Sequence, residues 1–158
     1  MKHLILAIGA AAPLMCGTAH AQNFTFENVN TGGETIGGLK RGNDIEYNGT
    51  YWSGQGVSTD ASGQTISTTF KCVDMKQPPN DTLFERHGTC DAITESGNYS
   101  VAFGCFLLDD KKLGTGCMGS AYGKTGVFKG RSGIFSLQAN GKQGIVKGTG
   151  RWFEAKGF

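Results

Sequence analysis

Beyond residue 21 the chain holds a single histidine, His87, and a single proline pair, Pro78-Pro79. Nowhere do its apolar residues recur at helical spacing for three turns without a glycine breaking the pattern. Each shortage closes off a class of protein. One histidine cannot build a His-rich metal site, and a Ser-His-Asp arrangement on it lacks the G-x-S-x-G elbow, since Ser120 follows Met118-Gly119 and Ser132 follows Gly130-Arg131. No C-x-x-C spacing is present, which argues against a redox-active pair. Asp109 and Asp110 belong to no calcium loop and read as turn residues. No metal and no cofactor is expected from these sets. Few prolines and no strict triplet repeat exclude collagen and disordered Pro/Gly tracts. The one long apolar run, Leu4 to Met15, is too short for a transmembrane anchor.

That run belongs to a segment with the features of a secretory signal. Lys2 and His3 precede it, and Ala19-His20-Ala21 is a small-x-small cleavage site before Gln22. Residues 1 to 21 are therefore read as a signal peptide and residues 22 to 158 as one domain of an exported protein, periplasmic or secreted. Cys16 is discarded with the signal.

Glycine is what the chain has in excess: 26 residues, all but Gly9 and Gly17 beyond position 21. With turn signals at Asp60-Ala61-Ser62-Gly63, Pro79-Asn80-Asp81, Ser96-Gly97-Asn98, Asp109 to Lys112 and Asn140-Gly141, this points to short strands joined by tight turns. Eight strands are predicted, over about 23–29, 45–58, 64–74, 82–94, 99–108, 113–122, 127–139 and 142–154. Closure into an all-β, eight-stranded antiparallel up-and-down barrel is the simplest way to hide the edges of so many strands.

Four cysteines remain: Cys72, Cys90, Cys105 and Cys117. Turns centred on Asp81, on Gly97-Asn98 and on Lys111 put Cys72 opposite Cys90, Cys90 opposite Cys105, and Cys105 opposite Cys117, in one row on one face. A row spanning about 14 Å cannot converge on a tetrahedral zinc ion. Directly opposed cysteines in an oxidising compartment form disulfides. Two are expected to staple the barrel, Cys72 to Cys90 and Cys105 to Cys117 in preference to the other connectivities. The same face carries Phe70, Phe84, Ala92, Val101, Phe103 and Leu107, and an Asn140-Gly141 turn pairs Phe135 with Val146 and Gly133 with Gly148, with Leu137 and Trp152 on their face. Phe70, Phe103, Phe135 and Trp152 are the predicted cavity lining.

Carboxylates on the middle strands are the remaining source of acid–base chemistry. Strand parity turns Asp74 to the cysteine face and Glu85, Asp91 and Glu95 away from it, so Asp74 is the one catalytic candidate, against its reading as an ordinary rim carboxylate. Charge is uneven. Residues 22 to 110 carry five Lys/Arg against twelve Asp/Glu, whereas 111 to 158 carry nine against one. Lys147 and Arg151 face outward on the last strand. Lys129 and Arg131 join them in a basic ribbon only if a glycine bulge re-aims them, since strict parity turns both inward. Such a ribbon would suit an anionic partner surface. Nucleic acid is the weakest partner on this reading, because net charge is small and the aromatics lie on the predicted core face.

The stretch GTGCMGSAYGKT, Gly114 to Thr125, mimics a nucleotide motif, but only Ser120, Ala121 and Tyr122 separate Gly119 from Gly123-Lys124-Thr125. A P-loop needs four residues there and a helix after it. No nucleotide is expected. The glycines of Gly126-x-Phe128-x-Gly130-x-x-Gly133-x-Phe135, followed by Gly148-x-Gly150-x-Trp152, resemble the closing hairpin of the allene-oxide-cyclase-like barrels, a calycin-like group that includes plant dirigent proteins. The resemblance implies an eight-stranded barrel around an apolar cavity, often in oligomers. Two functions follow as expectations: a non-catalytic exported barrel holding a small apolar ligand or a partner surface, or a cofactor-free cyclase or isomerase whose cavity folds a reactive substrate.

Overall fold

The computed structural model describes residues 21–41, 44–76, 83–108, 114–140 and 144–154. Most of the signal segment, the Pro78-Pro79 pair and the Asp109–Lys112 turn lie outside them. Eight strands, β1 (Gln22–Arg41), β2 (Asp44–Asp60), β3 (Thr65–Lys76), β4 (Arg86–Thr94), β5 (Gly97–Leu107), β6 (Thr115–Gly123), β7 (Arg131–Asn140) and β8 (Ile145–Glu154), close in chain order into an antiparallel barrel. A 3-10 turn, Gly126–Phe128, precedes β7.

The glycines are explained by the rows that wind round the inside. From Phe24 the cross-strand partners run Gly150, Phe135, Gly119, Phe103, Gly88, Asp74 and Thr50, returning to β1 at Thr35. Aromatic rings alternate with glycines, and each ring lies on a glycine beside it. A β-carbon built on Gly150 would sit 2.3 Å from the Phe24 ring, one on Gly119 2.8 Å from that of Phe135, and one on Gly88 2.5 Å from that of Phe103. Alternating large and small side chains is how a narrow barrel fills its interior without voids. The row holds aromatics until Asp74, where a carboxylate stands instead.

Gly119 is the tightest member, because its β-carbon would also lie 2.1 Å from the Ala102 carbonyl oxygen, a backbone atom that cannot swing aside. Gly119→Ala is expected to cost about 3 kcal/mol through overpacking, read as a lowered urea midpoint. An unchanged midpoint would mean that the rings do not pack as described.

The disulfides are Cys72–Cys90 and Cys105–Cys117. All four cysteines are buried on the inward face, with Cys72 only 1 % exposed. They do not form the single row expected. The β4–β5 turn lies at Glu95-Ser96, with Thr94 opposite Gly97, so Cys90 faces Val101 and Cys105 faces Arg86. A similar shift occurs at the last hairpin: Asn140 faces Ile145, so Phe135 meets Gly150 and Gly133 meets Trp152. Both shifts are by an even number of residues, and so each side chain keeps its face.

Three further differences are local. β1 continues to Arg41 through the glycine-rich segment after Asn30, paired with β2 and interrupted by one register shift between Asn30 and Gly32. Phe84 precedes β4 and lays its ring over the outer side of Gly104 rather than entering the core. Leu107 ends β5 exposed at 63 %.

Candidate functional site

The two ends of the barrel are built differently. At the lower end the β2–β3, β4–β5 and β6–β7 connections are described, and the last of them is folded inward as a plug. Phe128 is buried in the 3-10 turn, with ring centroids 5.0 Å from Tyr99 and 5.2 Å from Trp152. Tyr99 meets Trp152 edge-on at 5.4 Å. Gly126 takes φ 59° where its α-carbon passes the β4–β5 turn, and Val127 N–H donates to the Ser96 carbonyl at 2.9 Å. The Arg131 guanidinium lies 5.7 Å from the Trp152 ring centroid, a cation–π contact that caps the plug.

Burial in this cluster pushes the Tyr99 hydroxyl above the usual phenol value, with the nearby Thr68 hydroxyl opposing the shift. Thr68 Oγ1 makes no hydrogen bond of full geometry, so that opposition is weak. Because the folded-state value is the higher one, the protonated phenol's contribution to stability is intact below the unfolded value of about 10 and is lost as pH rises through the folded value. Urea titrations at a series of alkaline pH values are therefore expected to show a shallower decline for Tyr99→Phe than for the parent. Parallel declines would remove Tyr99 as the cause.

At the upper end the interior turns polar. Asp74, with 8 % of its side chain exposed, pairs with Arg86, of which 31 % is exposed. The other carboxylate oxygen, Oδ2, accepts the Trp52 indole N–H at 2.7 Å. Arg86 Nη1 also donates to Thr50 Oγ1 at 3.1 Å, and Nη2 to Asn48 Oδ1 at 3.2 Å. Strand parity explains the gathering: residues 48, 50 and 52 of β2, 74 of β3 and 86 of β4 all face inward, and Asp74 lies opposite Thr50. The guanidinium is fixed by three acceptors while part of it stays open at the mouth. Held that way, it can donate to an oxygen of a bound molecule without reorganising. The Trp52 ring, packed edge-on to Phe70 at 5.5 Å, is the apolar floor beneath it.

Phe70, Phe103, Phe135 and Trp152 all sit on the inward face, Phe70 and Trp152 buried and the other two partly so. They pack against glycines and one another through the barrel's middle and lower end. Asp91, Glu85 and Glu95 are exposed, and the Lys124 ion pair with Asp91, at 2.5 Å, holds that carboxyl below the usual range together with the Ser100 hydroxyl. The four basic residues are not brought together. Arg131 turns inward over Trp152, Lys129 is exposed in the turn before β7, Lys147 pairs with Glu27 at 2.9 Å, and Arg151 donates to Asn23 Oδ1 at 2.6 Å. Sequence reasoning missed Arg86 and Trp52. Parity with Cys90 and Cys72 was the available signal for both.

No protein-family model and no curated protein sequence matches the chain. Solved structures do. One is AbnU, described as an exo-specific intermolecular Diels-Alderase: TM-score 0.58, 13 % identity, covering 86 % of this chain and 99 % of the other. A second is a nonspecific heme-binding cyclase that catalyses [4 + 2] cycloaddition during neoabyssomicin biosynthesis, at TM-score 0.57, 10 % identity and 89 % and 70 % coverage. The Diels Alderase AbmU from Streptomyces koyangensis aligns at TM-score 0.57, 11 % identity and 90 % and 72 % coverage. The chain shares the barrel fold of these cyclases. That is a coarser likeness than the allene-oxide-cyclase and dirigent resemblance of the closing hairpin, which these three matches do not single out. Among the described residues no helix is long and apolar enough to cross a membrane. The paired cysteines suit an oxidising or exported environment.

Proposed function

We propose that the protein is a cofactor-free cyclase or isomerase that acts on a small apolar substrate at the upper mouth of the barrel. The observation that carries this reading is the partly open Arg86 guanidinium, held by Asp74, Thr50 and Asn48 above the Trp52 ring. The fold it shares with Diels–Alderases supports the reaction class. Ring closure of a polyene carrying a conjugated carbonyl needs two things from a protein: a surface that holds the chain bent, and a donor that draws electron density toward the carbonyl oxygen as the new bonds form. Trp52 offers the first, by excluding water and presenting a flat apolar face. Arg86 offers the second. Asp74 touches no substrate in this scheme; it positions Arg86. Filling of the middle by aromatic rings supports a reaction above Trp52 rather than deep in the barrel.

A rate assay with a linear polyene enone tests the proposal. Wild-type protein is expected to accelerate cyclisation over buffer, and Arg86→Met to lose about a hundredfold in kcat, as when one oxyanion donor is removed. No acceleration by the wild type would overturn it. The ring-filled interior also favours a second reading, a non-catalytic barrel that holds an apolar ligand or partner surface at the same mouth. Native mass spectrometry separates the two: a molecule that co-purifies and is released unchanged supports the binder, and a product isomeric with the added substrate supports the cyclase.

A further inference from the structure

Beyond Asn30 the described part of β1 pairs with β2 alone, and before Gly49 β2 pairs with β1 alone. The two strands therefore leave the barrel as a two-stranded arm. Every residue from Thr31 to Lys40 is exposed, Ile36 and Leu39 at 64 % and 65 %. A lone two-stranded ribbon is marginally stable in water at best. This one is also bent: Gly37 and Gly38 take φ 71° and 102°, and Tyr47 in the facing strand takes φ 57°, a conformation that a bulky side chain keeps only where its surroundings hold it. Such an arm calls for a surface beyond its own chain. The outer side of β2, β3 and β4 offers one. A shallow groove of about 550 Å3 starts at the arm's root, Thr31, and its lining includes Tyr51, Ser53, Lys71, Val73 and Ile93. Tyr51 lies opposite Val73, and both are exposed, as is Ile93.

We propose that the arm of one copy seats in this groove of a second copy, whose own arm seats in the groove of the first, so that the protein forms a two-fold dimer. Charge selects this occupant. Glu34, opposite Tyr51 on the arm, and Lys71 in the groove are both exposed and have no ion pair among the described residues. Asp91, across from Lys71, is taken by Lys124 at 2.5 Å and by the Ser100 hydroxyl at 2.9 Å. A two-fold interface sets Glu34 of each copy against Lys71 of the other, and the contact is made twice because the same patch serves both copies. Ile36 and Leu39 then cover Val73 and Ile93. The reach suffices: Ile36 stands about 17 Å along the strand from Thr31, and the three strands of the groove span about 10 Å. The dimer is independent of the cyclase reading.

Sedimentation equilibrium of the disulfide-intact protein over a concentration series tests this. A monomer–dimer equilibrium is expected. Glu34→Lys and Lys71→Glu are each expected to weaken it by at least about tenfold, because every dimer then sets two pairs of like charges together. Mixed in equal amounts, the two variants are expected to form a heterodimer about as tight as the parent's, since each arm then meets a groove of opposite charge. Recovery on mixing separates a contact between copies from one within a chain. Both replacements are at exposed positions, and unchanged circular dichroism verifies that the variants are folded. A protein that is monomeric throughout the series, leaving the arm to its own mouth or to a different partner, would overturn the assignment. So would a dimer that neither replacement weakens, or one that mixing fails to restore.

Discussion

Replacing Cys72 and Cys90 together by alanine is expected to lower stability by about 3 kcal/mol, and the melting temperature by about 10 °C. The pair closes a loop of 18 residues, and Cys105–Cys117 one of 12, so the second should contribute slightly less. Loop entropy is only part of the effect. Cys72 and Cys90 sit with Phe70 in one buried cluster, packed by Trp52, Val101 and Phe103, so the alanine pair also loses packing. Domains of this size are stable by about 5 to 15 kcal/mol in total; losing both disulfides removes roughly half of a mid-range value. Reduction with dithiothreitol should therefore bring the urea midpoint down by more than either pair of alanines. A reduced protein as stable as the oxidised one would show that the glycine-and-ring packing alone holds the barrel.

The second large effect concerns the ion pair at the mouth. Asp74 is the more deeply buried partner, 8 % exposed against 31 % for Arg86. Removing the cation thus strands a carboxylate with little water, whereas removing the carboxylate leaves a guanidinium that still reaches solvent, Thr50 and Asn48. Arg86→Met is expected to cost about 4 kcal/mol and Asp74→Asn about 2 kcal/mol, the lower figure reflecting the exposure of Arg86. In the double variant Asp74→Asn/Arg86→Met no charge is stranded, so its stability should exceed that of Arg86→Met alone. Additive losses in the three denaturation curves would show that the two side chains are not coupled.

Faces were legible in the sequence, and so were the β3–β4 and β5–β6 registers that oppose Cys72 to Cys90 and Cys105 to Cys117; the β4–β5 and β7–β8 registers were not, for a reason that particular residues make plain. Gly97 looked like a turn residue; in the structure the turn is Glu95-Ser96, where Ser96 N–H donates to Thr94 Oγ1 and the Thr94 hydroxyl donates to the Gly97 carbonyl. Gly97 is glycine for a different purpose. A β-carbon there would lie 2.3 Å from the Thr125 carbonyl oxygen, where the plug crosses the strand. A glycine required by a distant segment carries the same letter as one required by a turn, and only the folded chain tells them apart. Parity survived because even shifts preserve it, and so Asp74, Phe70, Phe103, Phe135 and Trp152 were placed on the inward face. Arg86 went unseen for want of a rule that singles out a partner: its tie to Asp74 rests on the β3–β4 register, which pairs Arg86 with Lys76 and Asp74 with Gly88. The long β1–β2 hairpin was hidden by Gly32, Gly33, Gly37 and Gly38, which break any alternating pattern.

The chain has two tryptophans, and the barrel puts one at each end: Trp52 beneath the polar mouth and Trp152 in the aromatic plug. Their indole N–H resonances therefore report which end a ligand enters. Titration of a nitrogen-15-labelled sample with a conjugated apolar enone should move the Trp52 indole signal and the Arg86 guanidinium signals together while that of Trp152 stays in place. Movement of Trp152 alone, or saturable binding that moves neither tryptophan, would contradict a functional site at the upper mouth.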